Sequence, residues 1–281
     1  MRFVRVGEPG SERPAVIDGA GRFLILPDET GDIDGEFWSS GGVERAQDQL
    51  DTDSLKEVEV TRLGPPIARP GKILCIGLNY RDHAIETNSP IPTEPVVFMK
   101  APNCVVGPND TVLIPRGSSK TDWEVELGIV IGARARYLAS PENAWASIAG
   151  YVMANDVSER AFQIERGGQW DKGKSCETFC PLGPWVATRD EVPDPQNLSL
   201  RLSVNGDLRQ NGTTSEMIFG VDYIVWYLSQ FLVLEAGDLV ITGTPPGVSL
   251  GHDDVPFLKA GDVLELSITG LGTQRNHLAQ A

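Results

Sequence analysis

The sequence is poor in the features that identify several large classes of protein. Its 281 residues include four cysteines, which are too few for a disulfide framework and lack the spacing of a zinc finger or a redox pair. No run of about eighteen apolar residues occurs, and the first residues lack the apolar core of a signal peptide. We therefore expect a cytoplasmic protein with reduced thiols and no membrane association.

Positive charge is also scarce. Lysine and arginine number 24 against 39 acidic residues, which gives a net charge of -15 and a pI near 4.6. Binding to nucleic acid or to anionic lipid needs clustered basic residues, so this balance argues against both. Neither a P-loop nor a GxGxxG motif is present. The expected partner is a small molecule.

Glycine and proline, by contrast, are abundant. The 30 glycines and 20 prolines lie between short apolar runs, a pattern that favours a mainly β fold of the α+β class. Glycines and prolines cluster between residues 64 and 71, as they often do at a domain boundary. We predict a small β-rich N-terminal domain at residues 1–68 and a main domain at residues 69–281.

An acidic stretch at residues 122–132 is the most informative part of the chain. Apolar residues alternate from Val125 to Ile131 and predict a β-strand, with Glu124 and Glu126 together on its other face. Taken alone, this pattern is typical of the solvated face of an amphipathic strand. Asp156 ends a second apolar run at residues 148–154, so neighbouring strands would bring a third carboxylate to the same place.

Three converging carboxylates repel one another unless they are partly protonated or bind a cation. An all-oxygen set of ligands suits a hard ion such as Mg²⁺, Mn²⁺ or Ca²⁺. The sequence therefore predicts a metal site at Glu124, Glu126 and Asp156.

His83 and Glu86 are three residues apart, so one helical turn places them on the same side. A carboxylate beside an imidazole fixes its tautomer and raises its basicity, and such a pair can act as a general base. A surface ion pair is the alternative interpretation. The other histidines, His252 and His277, lie among polar turn residues and are expected to be solvated.

Further candidates carry weaker signals. Lys174 follows a glycine-rich stretch at residues 166–173, although a lone lysine is usually a solvated charge. Backbone N–H groups at residues 243–247 and the Thr244 hydroxyl can hold a substrate carboxylate, and a tight structural turn is equally compatible with these residues. Cys176 and Cys180 have an unusual spacing for zinc, which disfavours that metal.

Two local patterns predict secondary structure near the C-terminal third. Asn205 and Gly206 suit a type I′ turn and predict a hairpin. Apolar residues at helical spacing predict a helix over residues 214–231, with Thr213 and Glu216 in a capping box.

The order of these motifs resembles the fumarylacetoacetate hydrolase family from about residue 70 to the C-terminus. The motifs are Gly77-Leu78-Asn79-Tyr80, His83 with Glu86, Glu124 with Glu126, Asn155-Asp156-Val157-Ser158 with Arg160 and Gln163, Lys174-Ser175, and Thr242-Gly243-Thr244-Pro245. The resemblance implies a mixed-β roll with a small N-terminal domain, usually assembled as a homodimer.

The resemblance also implies roles for individual residues. It implies that Glu124, Glu126 and Asp156 bind Mg²⁺ or Mn²⁺. It implies that His83 and Glu86 form a catalytic dyad on a lid over the substrate and that Lys174 assists charge stabilisation. It places Gln163 and Thr244 near the substrate.

The activity that the resemblance implies is hydrolysis of a carbon–carbon bond in a 2,4-dioxo acid. Residues 162–170 with Pro184-Trp185 are most similar to family members that cleave 2,4-diketo-3-deoxy-L-fuconate to pyruvate and L-lactate. Alternatives on the same metal site are an acylpyruvate hydrolase, a decarboxylase of oxaloacetate or another β-keto acid, and a ureidoglycolate lyase. A metal-binding protein without catalysis is disfavoured, because all the carboxylates and the histidine are present.

Overall fold

The computed structural model describes residues 1–86, 90–252 and 254–281, and β-strands dominate it. The strands are β1 (Arg2–Val6), β2 (Arg13–Ile17), β3 (Phe23–Ile25), β4 (Lys56–Glu57), β5 (Leu63–Gly64), β6 (Ile73–Gly77), β7 (Val96–Lys100), β8 (Val105–Val106), β9 (Val112–Ile114), β10 (Thr121–Asp122), β11 (Val125–Ile131), β12 (Ile148–Asn155), β13 (Ser158–Glu159), β14 (Cys180–Pro181), β15 (Val186–Thr188), β16 (Ser199–Val204), β17 (Asp207–Thr213), β18 (Leu239–Ile241), β19 (Val263–Ile268) and β20 (Gly272–Gln280). The mainly β class predicted from the sequence is confirmed.

Helices are short by comparison. They are α1 (Gly35–Ser39), α2 (Gly42–Asp51), α3 (Arg81–Glu86), α4 (Asp171–Lys174) and α5 (Val221–Ser229), with 3-10 turns at Asp28–Thr30, Pro102–Cys104, Pro141–Ser147, Arg189–Glu191 and Thr214–Glu216 and a π turn at Ala161–Glu165. In the part of the chain that the structure describes, no helix combines the length and apolar character needed to cross a membrane.

Two large sheets form the framework. The first is an 11-stranded sheet in the order β4-β3-β2-β1-β15-β12-β11-β18-β6-β7, with β5 paired to β1. The second is a 5-stranded sheet in the order β17-β16-β19-β20-β9. Most neighbours in the first sheet are antiparallel, whereas β18 and β6 run parallel. The architecture is therefore mixed β, as predicted.

The N-terminal strands extend the first sheet. Strand β1 pairs with β15 through Arg2 opposite Ala187 and Phe3 opposite Val186. Phe3, Phe37 and Trp38 pack edge to face beneath these strands, with ring centroids 5.0–5.6 Å apart. The division into domains at residues 68 and 69 stays a prediction.

Strand β11 lies at the centre of the first sheet. It pairs with β12 on one side and β18 on the other, and strands β16 and β19 of the second sheet pack against it. Every residue of β11 is buried as a result. The interpretation of the acidic side chains as a solvated face is therefore wrong, because Glu124 and Glu126 are both buried.

The predicted hairpin is confirmed and the predicted long helix is shorter than expected. Strands β16 and β17 flank Asn205 and Gly206, whose φ angles of 54° and 87° fit a type I′ turn. Helix α5 begins only after Gly220, which is extended, so the pattern over residues 214–231 spans a 3-10 turn, a bend and a helix. The Thr213 hydroxyl accepts from the Ser215 amide, and the predicted capping box is replaced by this tighter turn.

Candidate active site

The pairing of β11 with β12 brings three carboxylates together. Val125 lies opposite Asn155, and the pairing continues beyond the strand ends because the Asp156 amide donates to the Glu124 carbonyl at 2.9 Å. One carboxylate oxygen from each of Glu124, Glu126 and Asp156 lies within 4.8 Å of the others, and all three residues are buried. The structure thus places the predicted metal-ligating residues in one cluster.

Three buried cations surround this cluster. The Lys174 ammonium donates to Glu124 Oε2 and Asp156 Oδ2, both at 2.6 Å. The Lys100 ammonium donates to Asp156 Oδ1 at 2.6 Å. The Arg160 guanidinium donates to Glu124 Oε1 at 2.7 Å from the opposite side. Glu124 and Asp156 therefore have a cation on each carboxylate oxygen.

These ion pairs set the protonation of the site. Burial opposes ionisation of Glu124, but Lys174 and Arg160 outweigh it and lower its pKa to about 2. Burial also lowers the pKa of the Lys100 ammonium, but the charge of Asp156 outweighs burial and leaves that pKa raised. Each of these groups is thus held in its charged form.

Glu126 is the exception. Burial raises the pKa of its carboxyl well above the usual 4.5, and the charges of Asp156 and Glu124 raise it further. Its Oε2 accepts from the Gly243 amide at 2.7 Å. Within residues 1–86, 90–252 and 254–281, the structure gives Glu126 no ion pair of the kind that the other two ligand residues have.

The residues present fit a divalent cation. Four buried carboxylates, those of Asp122, Glu124, Glu126 and Asp156, face three buried cations, those of Lys100, Arg160 and Lys174. The excess acid is Glu126, and all three candidate ligands are hard oxygen donors. A divalent metal would supply the positive charge that Glu126 lacks.

Metal binding is expected to release a proton. The metal binds a carboxylate, whereas burial keeps Glu126 protonated to a pH above the usual 4.5. Affinity for Mn²⁺ should therefore rise as the pH rises through the raised pKa of Glu126. Titration calorimetry in buffers of different ionisation enthalpy measures the protons released per metal bound. If Mn²⁺ bound without proton release at a pH just above the usual glutamate pKa of 4.5, the raised pKa of Glu126 would be contradicted.

A small cavity of about 130 Å³ opens beside the cluster. Its wall includes Glu124, Glu126 and His83, with Phe98 and Trp170 on another side. Helix α3 places His83 there, and the Nδ1 atom of His83 lies 2.9 Å from Glu86 Oε2. Because both side chains are largely buried, the alternative of a surface ion pair does not describe them.

The predicted substrate-binding residues line the same cavity. Gln163 lies on the π turn, and its Oε1 accepts from Arg160 at 3.1 Å. The Thr244 hydroxyl donates to the Val125 carbonyl at 3.0 Å and accepts from Gln210 at 2.8 Å. Thr244 is therefore held firmly at the cavity wall.

Gly243 connects this wall to the carboxylates. Its φ of 93° is accessible to glycine, and a Cβ there would approach Asn79 Cβ and the Ile76 carbonyl to 2.9 Å. This close approach allows its amide to reach Glu126. Gly243 and Thr244 line the cavity, whereas the amides of Gly243 and Gly247 donate to Glu126 and Glu86. Binding of a substrate carboxylate by residues 243–247 stays a prediction.

Sequence reasoning missed two residues near the site. Lys100 is the one buried residue of β7, whose other residues are half-buried or exposed, and its place at the end of the apolar run at residues 96–99 was the only signal in the sequence. His252 was expected to be solvated, and this holds only in part, because its side chain is 34% exposed while its Nε2 atom lies 3.0 Å from Glu86 Oε1. The expectation that His277 is solvated holds, because His277 is exposed on β20.

A wider cleft of about 890 Å³ lies elsewhere, between α2 and the turn at residues 189–191. Trp38, Trp145 and Arg189 line it. Its acidic residues, Glu44 and Asp190, are exposed. The smaller cavity is the better candidate, because buried charges with shifted pKa values meet there.

A family model described as the C-terminal region of fumarylacetoacetate (FAA) hydrolase matches residues 72–279. The chain is 49% identical over 282 residues to a 2,4-didehydro-3-deoxy-L-rhamnonate hydrolase of a Sphingomonas species, with 100% of this chain and 96% of that protein covered.

Solved structures agree over the full length. A fumarylacetoacetate hydrolase from psychrophilic Exiguobacterium antarcticum has a TM-score of 0.87 at 34% identity, with 100% of both chains covered. A maleylpyruvate hydrolase from a Sphingobium species, solved with manganese(II) and pyruvate, has a TM-score of 0.82 at 26% identity, again with 100% of both chains covered. The predicted type of mixed-β roll is confirmed by these likenesses.

Proposed function

This chain belongs to the fumarylacetoacetate hydrolase family and is an enzyme that hydrolyses carbon–carbon bonds, and we propose that its substrate is 2,4-diketo-3-deoxy-L-fuconate, cleaved to pyruvate and L-lactate. The observation that carries the proposal is the cluster of Glu124, Glu126 and Asp156 beside the pair His83 and Glu86 in one cavity. A volume of about 130 Å³ lies below the range of drug-sized ligands and suits a small acid.

The substrate named for the Sphingomonas relative supports this choice. L-Rhamnonate and L-fuconate differ in configuration only at C2 and C4. Both centres become carbonyl carbons in the 2,4-dioxo acids, and C3 loses its hydroxyl. Only C5 remains chiral, with the L configuration in both series. The two names therefore describe one compound, and both lead to pyruvate and L-lactate.

We propose Mg²⁺ or Mn²⁺ as the metal, held by Glu124, Glu126 and Asp156. A divalent cation there would act as a Lewis acid that stabilises negative charge on the oxygens of a 2-oxo acid. Manganese accompanies pyruvate in the Sphingobium relative's structure, which supports the same choice for this chain.

The chain's own residues account for the proton transfers. Glu86 contacts His83 through Nδ1, so we assign to Nε2 the proton that a water molecule loses as its oxygen adds to C4. The C3–C4 bond then breaks, and its electron pair moves to C3 to give the enolate of pyruvate. The proton returns from His83 to C3, and C4 leaves as the carboxyl carbon of lactate.

Positive charge near the cavity favours the anionic steps. Lys174 lines the cavity with its ammonium 5.0 Å from the centre of the Phe98 ring, and it would stabilise the enolate electrostatically. Gln163 and Thr244 line the same space and would position the substrate. Trp170 packs edge to face on Phe98 and helps to exclude water.

Product analysis tests the proposal. The purified protein with Mn²⁺ or Mg²⁺ should release equal amounts of pyruvate and L-lactate from 2,4-diketo-3-deoxy-L-fuconate, and a chelator should stop the reaction. In ¹⁸O-water the label should enter the lactate carboxylate. The reaction must be sampled before the C4 carbonyl of the substrate exchanges its oxygen with the solvent. Absence of pyruvate from metal-loaded protein would reject this substrate.

The same assay separates the other candidate reactions. Simple acylpyruvates would also give pyruvate, with a different acid as second product. Release of CO₂ from oxaloacetate would indicate a decarboxylase, and urea would indicate a ureidoglycolate lyase. Activity on none of these substrates by metal-loaded protein would favour a metal-binding protein without catalysis. Assembly as a homodimer and a cytoplasmic location stay predictions.

A further inference from the structure

Glu86 is the meeting point of two histidines and one backbone amide. Its Oε2 atom lies 2.9 Å from His83 Nδ1, and its Oε1 atom lies 3.0 Å from His252 Nε2. The Gly247 amide lies 3.2 Å from Oε1 and 3.3 Å from Oε2. Helix α3 is thereby joined to the loop that follows β18.

That loop is itself firmly anchored. The buried Asp122 carboxylate accepts from the Ser249 amide at 2.9 Å and from the Leu250 amide at 3.1 Å. The Ser249 hydroxyl donates to the Val255 carbonyl at 2.7 Å. Asp122 is also paired with Arg160, which binds Glu124. The backbone that carries His252 is thus fixed to the same charged network as the carboxylate cluster.

The orientation of the Glu86 carboxylate depends on His252. The Gly247 amide is nearly equidistant from both oxygens, so it does not favour one rotation of the carboxylate over another. The His252 contact involves Oε1 alone, and an ionised carboxylate is an acceptor, so Nε2–H is the donor. This bond directs Oε2 towards His83.

We propose that His252 is a positioning residue, which orients Glu86 and through it the imidazole of His83. The inference rests on the proposed function, in which His83 takes the proton from water. His252 belongs neither to the carboxylate cluster nor to the wall of the cavity beside it. Its loss should therefore act on the rate of the chemical step and leave binding of metal and substrate intact.

Steady-state kinetics of three metal-loaded variants test this role. His252→Ala should lower kcat about 10-fold or more with little change in KM, as loss of a supporting hydrogen bond typically does. His252→Gln should recover most of kcat, because its amide nitrogen can donate to Oε1. The matched control is His277→Ala, which removes an exposed histidine on β20 and should not alter kcat.

A double variant tests whether His252 acts on kcat through Glu86. In a Glu86→Ala background, His252→Ala should add no further loss of kcat, because the two residues act as one unit. A His252→Ala variant with the wild-type kcat would overturn the inference. So would a His252→Gln variant that is as slow as His252→Ala, since that would indicate a purely structural need for the ring.

Hydrogen exchange separates failure of this inference from failure of the proposed function. If wild-type protein cleaves no 2,4-dioxo acid, the proposed function fails, and the amides of Arg81–Glu86 still report on the His252 contact. They should exchange faster in His252→Ala than in the wild type or His252→Gln. Equal exchange in all three proteins would overturn the positioning role whatever the activity.

Discussion

Replacing Glu126 by glutamine is expected to abolish metal-dependent activity while the protein stays folded. Glutamine keeps the shape of the side chain and an oxygen for the Gly243 amide, but it removes the charge that the cluster offers to a cation. Loss of that ligand should lower kcat/KM on the order of 10³-fold or more. Titration calorimetry with Mn²⁺ and the pyruvate assay measure the two losses separately.

Thermal unfolding distinguishes loss of the site from loss of the fold. The unfolded chain gives up the Glu126 proton near pH 4.5, whereas the folded chain holds it to a higher pH. Above pH 4.5 ionisation of this carboxyl therefore favours the unfolded chain, so the metal-free wild type is less stable than a variant with a neutral side chain there. Metal-free Glu126→Gln should melt at or above the wild-type temperature, and the difference should narrow as the pH falls towards 4.5.

Metal should reverse this order of stability. A ligand at 100 times its dissociation constant stabilises a folded protein by about 2.7 kcal/mol, and only the wild type would gain that stabilisation. Glu265→Gln is the matched control, because Glu265 is a half-exposed glutamate on β19, and this variant should behave as the wild type. Full activity of Glu126→Gln with Mn²⁺ would show that the three carboxylates are not the metal site.

The local part of the site follows from the sequence for a clear reason. Alternation over Val125–Ile131 predicts a strand. Side chains two residues apart share a face of a strand, so Glu124 and Glu126 are expected on the same face. Helical spacing likewise places Glu86 within reach of His83. Both arguments need only the geometry of a single element. The hairpin at Asn205 and Gly206 is predictable on the same basis.

What the sequence could not show depends on contacts between distant parts of the chain. Lys100 reaches Asp156 across 56 residues, and His252 reaches Glu86 across 166. Neither pair shares an element or a periodic pattern. The burial of Glu126 likewise depends on distant residues such as Gly243, 117 residues further along the chain, which the alternation of β11 does not encode. These contacts appear only once the topology is known.

Replacing His83 by alanine is expected to separate chemistry from metal binding. The three carboxylates are unchanged by this substitution, so Mn²⁺ should bind as in the wild type. Without a base at the cavity wall, water loses its proton to solvent, and kcat should fall about 10²- to 10⁴-fold. The pyruvate assay and titration calorimetry with Mn²⁺ check the two expectations, with His277→Ala as the matched control.

The variants at His83 and Glu126 test two separate roles, water activation by His83 and metal binding by Glu126. If His83→Ala kept the wild-type rate, the base would lie elsewhere, and the contact between His83 and Glu86 at 2.9 Å would serve the fold alone. If His83→Ala lost the metal, His83 would belong to the metal site. Only slow turnover with intact metal binding supports water activation by His83, because no other group in the proposed mechanism is assigned that proton.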